Sequence, residues 1–320
     1  MKNLSLININ KQIQDDKKII LQGLLNKKQK YLVPKFFYDE KGSILFNKIT
    51  NQKEYYPTKK ELKIIGDLNK EFKKILPSNS AIVEFGSGSN KKINKFIKSL
   101  SSPREYIPID ISKEYLFKNA SIIAKKFKNL KVTAICADFN QTDKLNKLLK
   151  NKKKIISFFP GSTIGNYLPK NAKKLLKNFS KIIGKNSYLV IGFDLVKNIS
   201  TLESAYNDKL GITAQFNKNI LNAVNKICNS KFSTNDFEHK AFYNVVKNRI
   251  EMHLSSKKNC MYTIDKKKIK FSKGETIHTE NSHKYTKDKF AKLVKNSGFE
   301  IIKHFTDKNK YFGVFLLKVK

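Results

Sequence analysis

Five short apolar runs punctuate the middle of the chain: AIVEF (81–85), EYIPIDIS (105–112), KVTAICADF (131–139), KIISFFPGSTIGNY (154–167) and SYLVIGFDL (187–195). Each is nearly continuous in apolar residues, the pattern of a strand covered on both faces. Between them, residues 90–100, 113–129, 141–150 and 169–182 carry apolar positions at helical spacing with lysines on the other face, as in KNAKKLLKNFSKIIGK. Strands alternating with helices over short connections predict a parallel α/β sheet. Farther on, a helix over 286–297 precedes FEIIKHFTD and KYFGVFLLKV, two strands joined by a polar turn and so an antiparallel hairpin.

The flanks follow a different plan. Residues 9–30 have helical spacing. They lead into YLVPKFFYDEKGSILFNKITNQKEYYPTKKE, an aromatic tract broken by Gly and Pro that predicts a structured loop and a short helix. A helix is expected over 58–75, with Thr58 as N-cap and Glu61 completing a capping box. Residues 197–285 interrupt the alternation with helices near 200–228 and then strand-like segments, KAFYNVVKNRIEMHLSS and YTIDKKKIKFSKGETIH. The expected organisation is therefore a core over 58–196 completed by 286–320, and a smaller α+β substrate-binding lobe from 1–57 and 197–285. Ligand pockets form where two such lobes meet. A doubly wound, Rossmann-like sheet closed by a C-terminal antiparallel hairpin is the layout of class I methyltransferases.

Composition narrows the function. Of 320 residues, 65 are Lys or Arg and 26 are Asp or Glu, a formal charge of +39. Only Arg104 and Arg249 are arginine, whereas base and phosphate-fork recognition favours the guanidinium. The lysines recur between apolar helical positions, the signature of a solvated helix face. No specific nucleic-acid partner is expected. Cys136, Cys228 and Cys260 form no CxxC, and the five histidines form no HxxxH or HExxH, so neither a disulfide scaffold nor a metal centre is expected. His239, His253, His278, His283 and His304 suggest no shared role. The start, MKNLSLININKQIQDDKK, lacks a signal-peptide pattern. No stretch approaches the roughly 18 apolar residues of a membrane span. A cytoplasmic monomer is expected.

The candidate chemistry lies at strand ends. Glu84-Phe85-Gly86-Ser87-Gly88-Ser89 closes the first strand of the core and opens a helix, where glycines allow close backbone approach to a ligand. The third glycine of a dinucleotide fingerprint is absent. Asp110, at the end of the next strand, suits a ribose diol. Asp138, at the end of the third, suits the exocyclic amine of adenine, with Phe139 to cover the ring. Acids and aromatics without phosphate-binding features favour S-adenosylmethionine, whose sulfonium is cationic, over a pyrophosphate cofactor.

Four further tracts carry a family resemblance: PKFFYDEKGSILFNKIT…EYYPTKKE (34–61), FPGSTIGNY (159–167), FDLVK…AYND…TAQFNKNIL (193–221), and IEMHL with TENSHKY (250–254 and 279–285). With VEFGSGS, the chain resembles the histidine Nα-methyltransferases of the ergothioneine pathway from about residue 16 to 318. The resemblance implies an S-adenosylmethionine-dependent enzyme that methylates L-histidine up to three times, giving hercynine. It implies that Gly86, Gly88, Lys92, Asp110, Asp138 and Phe139 contact the cofactor, with Lys91 as the alternative to Lys92 should the loop slide by one. It implies further that Tyr56, Asn166, Tyr206, Glu280 and Ser282 contact the amino acid, and that Tyr38, Gly161 and Met252 line the same pocket. Tryptophans that often occur in this family are absent here, Phe36 filling one such position.

Physically, methyl transfer needs a neutral amine held in line with the sulfur–carbon bond, and positioning of this kind can supply roughly 7–11 kcal/mol of a barrier. Tyr38 and Asn166 are the candidates for orienting that amine, with no general base required. Glu280 and Ser282 offer one partner to each imidazole nitrogen. Two other functions are compatible with parts of the sequence: a same-family methylase for tryptophan or an indole derivative, and a non-catalytic lysine-rich RNA binder.

Overall fold

The computed structural model describes residues 2–9, 14–88 and 90–320. Strand β1 (Leu4–Asn8), helix α1 (Gln14–Leu24), the two-residue strand β2 (Lys30–Tyr31) and helices α2 (Glu40–Ile49), α3 (Tyr56–Asp67) and α4 (Asn69–Ile75) come first. Strands and helices then alternate: β3 (Ala81–Phe85), α5 (Asn90–Lys98), β4 (Glu105–Asp110), α6 (Lys113–Lys126), β5 (Lys131–Cys136), α7 (Thr142–Leu149), β6 (Ile155–Phe159), α8 (Pro169–Ile183) and β7 (Tyr188–Asp194). Helices α9 (Ile199–Ser204) and α10 (Ile212–Cys228) precede β8 (Phe237–Asn244), β9 (Arg249–Ser256), β10 (Cys260–Ile264), β11 (Lys267–Phe271) and β12 (Thr276–His283). The chain ends with α11 (Lys287–Lys295), β13 (Phe299–Thr306) and β14 (Phe312–Val319).

These elements form two compact units. The larger comprises residues 1–10, 57–196 and 283–320, and the smaller 11–56 and 197–282. The larger holds an eight-stranded sheet ordered β1-β5-β4-β3-β6-β7-β14-β13. Its strands are parallel except β14, which runs antiparallel between β7 and β13. The order reverses between β3 and β6, the switch point outside which ligands bind in such sheets. The period of two appears directly in β3: Ala81, Val83 and Phe85 join one core with α7, α8 and α11, while Ile82 joins the other with α4, α5 and α6.

In the smaller unit, a four-stranded sheet is ordered β2-β12-β9-β8, and β10 and β11 form a separate hairpin. The fully buried Asn217 of α10 fastens this sheet. It donates to His253 O at 2.9 Å, lies 2.8 Å from His239 Nδ1, and accepts from Thr279 Oγ1 at 2.7 Å. Among the described residues, no helix is long and apolar enough to cross a membrane.

Two expectations are corrected. Residues 4–8 belong to the large sheet, as β1 beside β5, and not to the substrate-binding lobe; a short edge strand leaves only a weak period-2 trace. The helical reading of 9–30 holds from Gln14 to Leu24, residues 10–13 lying outside the described ones. Nor does Thr58 cap a helix. Helix α3 starts two residues earlier, the Thr58 hydroxyl is buried without a hydrogen-bond partner, and Glu61 bonds elsewhere.

Candidate active site

In the larger unit, the turn after β3 has Gly86 at φ +74°, a backbone conformation that favours glycine. A Cβ there would lie 3.7 Å from the half-buried Phe139 ring, and one on Gly88 would meet nothing within 4 Å. The Gly86 and Ser87 N–H groups donate to Ile109 O at 2.9 and 3.3 Å, binding the turn to the end of β4. Beneath it lies a buried polar chain. The Tyr106 hydroxyl donates to Glu84 and lies 3.1 Å from Ser87 Oγ.

Burial raises the Glu84 carboxyl to about 7 against the opposing bonds from Tyr106 and Ser87. Burial likewise lifts Asp110, the last residue of β4, to about 6, although Ser112 N–H donates to it at 2.9 Å. Asp138 accepts from the backbone and side chain of Asn140 at 2.8 and 3.0 Å, and it sits half-buried beside Phe139. A bare glycine backbone, an adjacent ring and half-buried acids at the ends of two successive strands fit an adenosine ligand with a cationic tail.

The loop after β6 is fastened from two sides. Gly161 N–H donates to both carboxylate oxygens of Glu61 at 3.0 and 2.9 Å, and Lys92 Nζ lies 2.6 Å from Glu61 Oε2. Ser162, at φ 59°, accepts at Oγ from Asp194 N–H at 2.9 Å, and Asp194 pairs with the fully buried Lys284 at 2.8 Å. This framework holds the 3-10 turn Thr163–Asn166, with Asn166 half-buried at its end. Lys92 points inward while Lys91 is exposed.

The smaller unit carries the remaining candidates. Along β12, burial alternates until Thr279 and then changes phase, so Ile277, Thr279, Glu280 and Ser282 are all buried. Ser282 Oγ accepts from the Tyr206 hydroxyl at 2.7 Å. Tyr56 is buried, its hydroxyl accepts from Lys197 Nζ at 2.7 Å, and the ammonium lies 4.5 Å above its ring. Tyr38 meets Phe46 and Phe216 edge-on, each at 5.8 Å, and Met252 is buried on β9.

Sequence reasoning missed two groupings. One is Glu61 with Lys92 and Gly161, obscured because Glu61 also fits a capping box. The other is Glu251, His253 and His278, whose ligand-capable atoms lie within 4.8 Å of one another. The histidine rings are stacked at 4.6 Å and within 7° of parallel, so their in-plane lone pairs run alongside each other and do not converge on one ion. Arg249 takes one oxygen of Glu251 at 2.7 Å and His253 Nε2 lies 3.2 Å from the other. Burial opposes the Glu251 charge, yet the bonds from Arg249 and His253 bring it down to about 2. Burial, reinforced by the neighbouring His253, takes His278 down to about 4. The grouping is a buried polar cluster around Glu251, and it brings together His253 and His278, which no motif links in the sequence.

The doubly wound sheet, its antiparallel closing hairpin and the adenosine-type strand ends define a class I methyltransferase. A model of the histidine-specific, S-adenosylmethionine-dependent methyltransferases matches residues 15–319, and the chain belongs to that family. It is 32% identical over 297 residues to histidine N-alpha-methyltransferase of Mycobacterium tuberculosis (strain CDC 1551 / Oshkosh), spanning 91% of each chain. It is 31% identical over 292 residues to the protein of the same name from Mycolicibacterium smegmatis, spanning 90% of each. Against ergothioneine biosynthesis protein 1 of Neurospora crassa it is 28% identical over 299 residues, which cover 88% of this chain and 32% of that protein. The chain is thus an S-adenosylmethionine-dependent methyltransferase.

Proposed function

We propose that the protein methylates the α-amino group of L-histidine, up to three times, giving hercynine. The observation that carries this reading is the buried pair Glu280 and Ser282 on β12, with Tyr206 hydrogen-bonded to Ser282. A carboxylate accepts one imidazole N–H, and a hydroxyl serves the other nitrogen as donor or acceptor. An indole has a single N–H and would leave one of the two groups without a partner, which a buried site penalises. The names of the Mycobacterium and Neurospora relatives support the same substrate and the same pathway.

In this reading Gly86, Gly88, Lys92, Asp110, Asp138 and Phe139 hold S-adenosylmethionine, which supplies an electrophilic methyl group on a sulfonium. Asp110 accepts from the ribose hydroxyls, Asp138 from the adenine amine, and Phe139 covers the ring. Tyr56, Tyr206, Gly161 and Met252 enclose the amino acid, and Tyr38 and Asn166 orient its neutral amine with the lone pair directed at the methyl carbon. That orientation is the chief contribution asked of the protein.

The test is mass spectrometry of purified protein incubated with S-adenosylmethionine and equimolar histidine and tryptophan. Mono-, di- and trimethylhistidine should appear in sequence, with hercynine accumulating. Methylated tryptophan without methylated histidine would overturn the substrate, and arrest at a single methyl group would overturn the product.

A further inference from the structure

We propose that Glu61 is the positioning residue of this enzyme: one buried carboxylate sets both the lysine that meets the cofactor and the loop that meets the amino acid. The inference rests on the assignment of Lys92, Gly161 and Asn166 to ligand binding made above. Its support is the geometry around Glu61.

The Glu61 side chain is 1% exposed and that of Lys92 12%, at a separation of 2.6 Å. A lysine ammonium has three donors, so two remain for a ligand carboxylate while the third keeps the side chain turned inward. Both Glu61 oxygens also receive Gly161 N–H. Gly161 has φ +82°, and a Cβ on it would approach Lys92 Nζ at 3.1 Å. At Gly192 on β7, any side chain would collide with the Glu61 carboxylate. Elements α3, α5, β7 and the loop after β6 are thus built around this one charge.

Removing one partner of a buried ion pair leaves the other uncompensated. In Glu61→Gln the Lys92 ammonium loses its counter-charge and faces an amide. The acceptor for Gly161 N–H is kept in part, whereas the fixed direction of Lys92 is lost. The two ligand sites should therefore respond to different extents, which a general loss of packing would not produce.

The probe is S-adenosylhomocysteine, titrated calorimetrically into wild type, Glu61→Gln, Lys92→Met and the double variant. Glu61→Gln should weaken binding about tenfold or more, the scale of a lost charge-assisted contact. In the Lys92→Met background the same substitution should change affinity by less than about twofold, because Glu61 acts on the cofactor through Lys92. It should still raise the KM for histidine there, through Gly161. Glu61→Asp, which keeps the charge at shorter reach, should fall between wild type and Glu61→Gln.

Affinity of Glu61→Gln within twofold of wild type, or an undiminished Glu61 effect without Lys92, would overturn the proposal. Equal affinities for the Asp and Gln variants would do so as well. S-adenosylhomocysteine binding needs no histidine, so this arm decides the role of Glu61 even if wild type fails to methylate histidine and the substrate reading falls.

Discussion

The two units hold buried charge differently. In the smaller one, Glu251 is surrounded by Arg249 and His253, and its carboxyl is held near 2. In the larger one, Glu61 and Asp194 are paired with Lys92 and Lys284, but Glu84 and Asp110 have no ion-pair partner among the described residues and are pushed up to about 7 and about 6. A paired buried acid fixes its own surroundings, whereas an acid at a strand end without an ion-pair partner is a candidate ligand contact.

The largest effect should come from breaking a satisfied pair. Lys284→Met leaves Asp194 buried without its cation and should cost about 3–5 kcal/mol of stability, seen as a markedly lower urea midpoint. An unchanged midpoint would mean that the larger unit tolerates unpaired charge generally, and the contrast would lose its meaning. Next comes Glu280→Ala, which should weaken histidine binding by about 1.5–3 kcal/mol and leave S-adenosylhomocysteine binding within twofold. Equal losses for both ligands would deny Glu280 a specific role in holding histidine.

The smallest effect is a pH dependence. In the proposed site an ionised Asp110 accepts from both ribose hydroxyls, whereas the protonated acid keeps one good acceptor oxygen; with its carboxyl near 6, affinity for S-adenosylhomocysteine should fall by up to about tenfold from pH 7.5 to pH 5. Asp110→Asn should bind weakly at both pH values and abolish the slope.

The pH dependence of stability in the unliganded protein carries the same contrast. Raised acids favour the folded state below their ordinary values, and that contribution is lost as pH rises through about 6 to 7. The lowered His278 contributes fully above about 6.5 and loses its contribution as pH falls through about 4. Acidification to pH 5 should therefore weaken amide protection in β9 and β12 relative to β3 and β4, after correction for intrinsic exchange.

Much of the larger unit was legible along the chain. AIVEF, KVTAIC and SYLVIGF are apolar runs because both faces of those strands are covered, and that constraint acts locally on every residue. β1 was not legible, since LSLIN alternates weakly and its pairing partner lies more than a hundred residues away. The acids proposed for the cofactor could be singled out because strand ends are local landmarks. Glu61 was misread for the opposite reason. Its neighbours in sequence suggest a helix cap, while its bonding partners, Lys92 and Gly161, are 31 and 100 residues distant. The histidines of β9 and β12 likewise have no common motif and meet only by strand pairing.

The sequence by itself determined the alternation of strands and helices, the hairpin that closes the sheet, and which residue types stand at the strand ends, because periodicity and turn chemistry are short-range. Tertiary structure alone decided which charges are paired, which carboxyls are raised, and which face of β12 carries Glu280 and Ser282. Those properties depend on burial and on partners brought together from remote segments, and neither quantity is written at any one position of the chain.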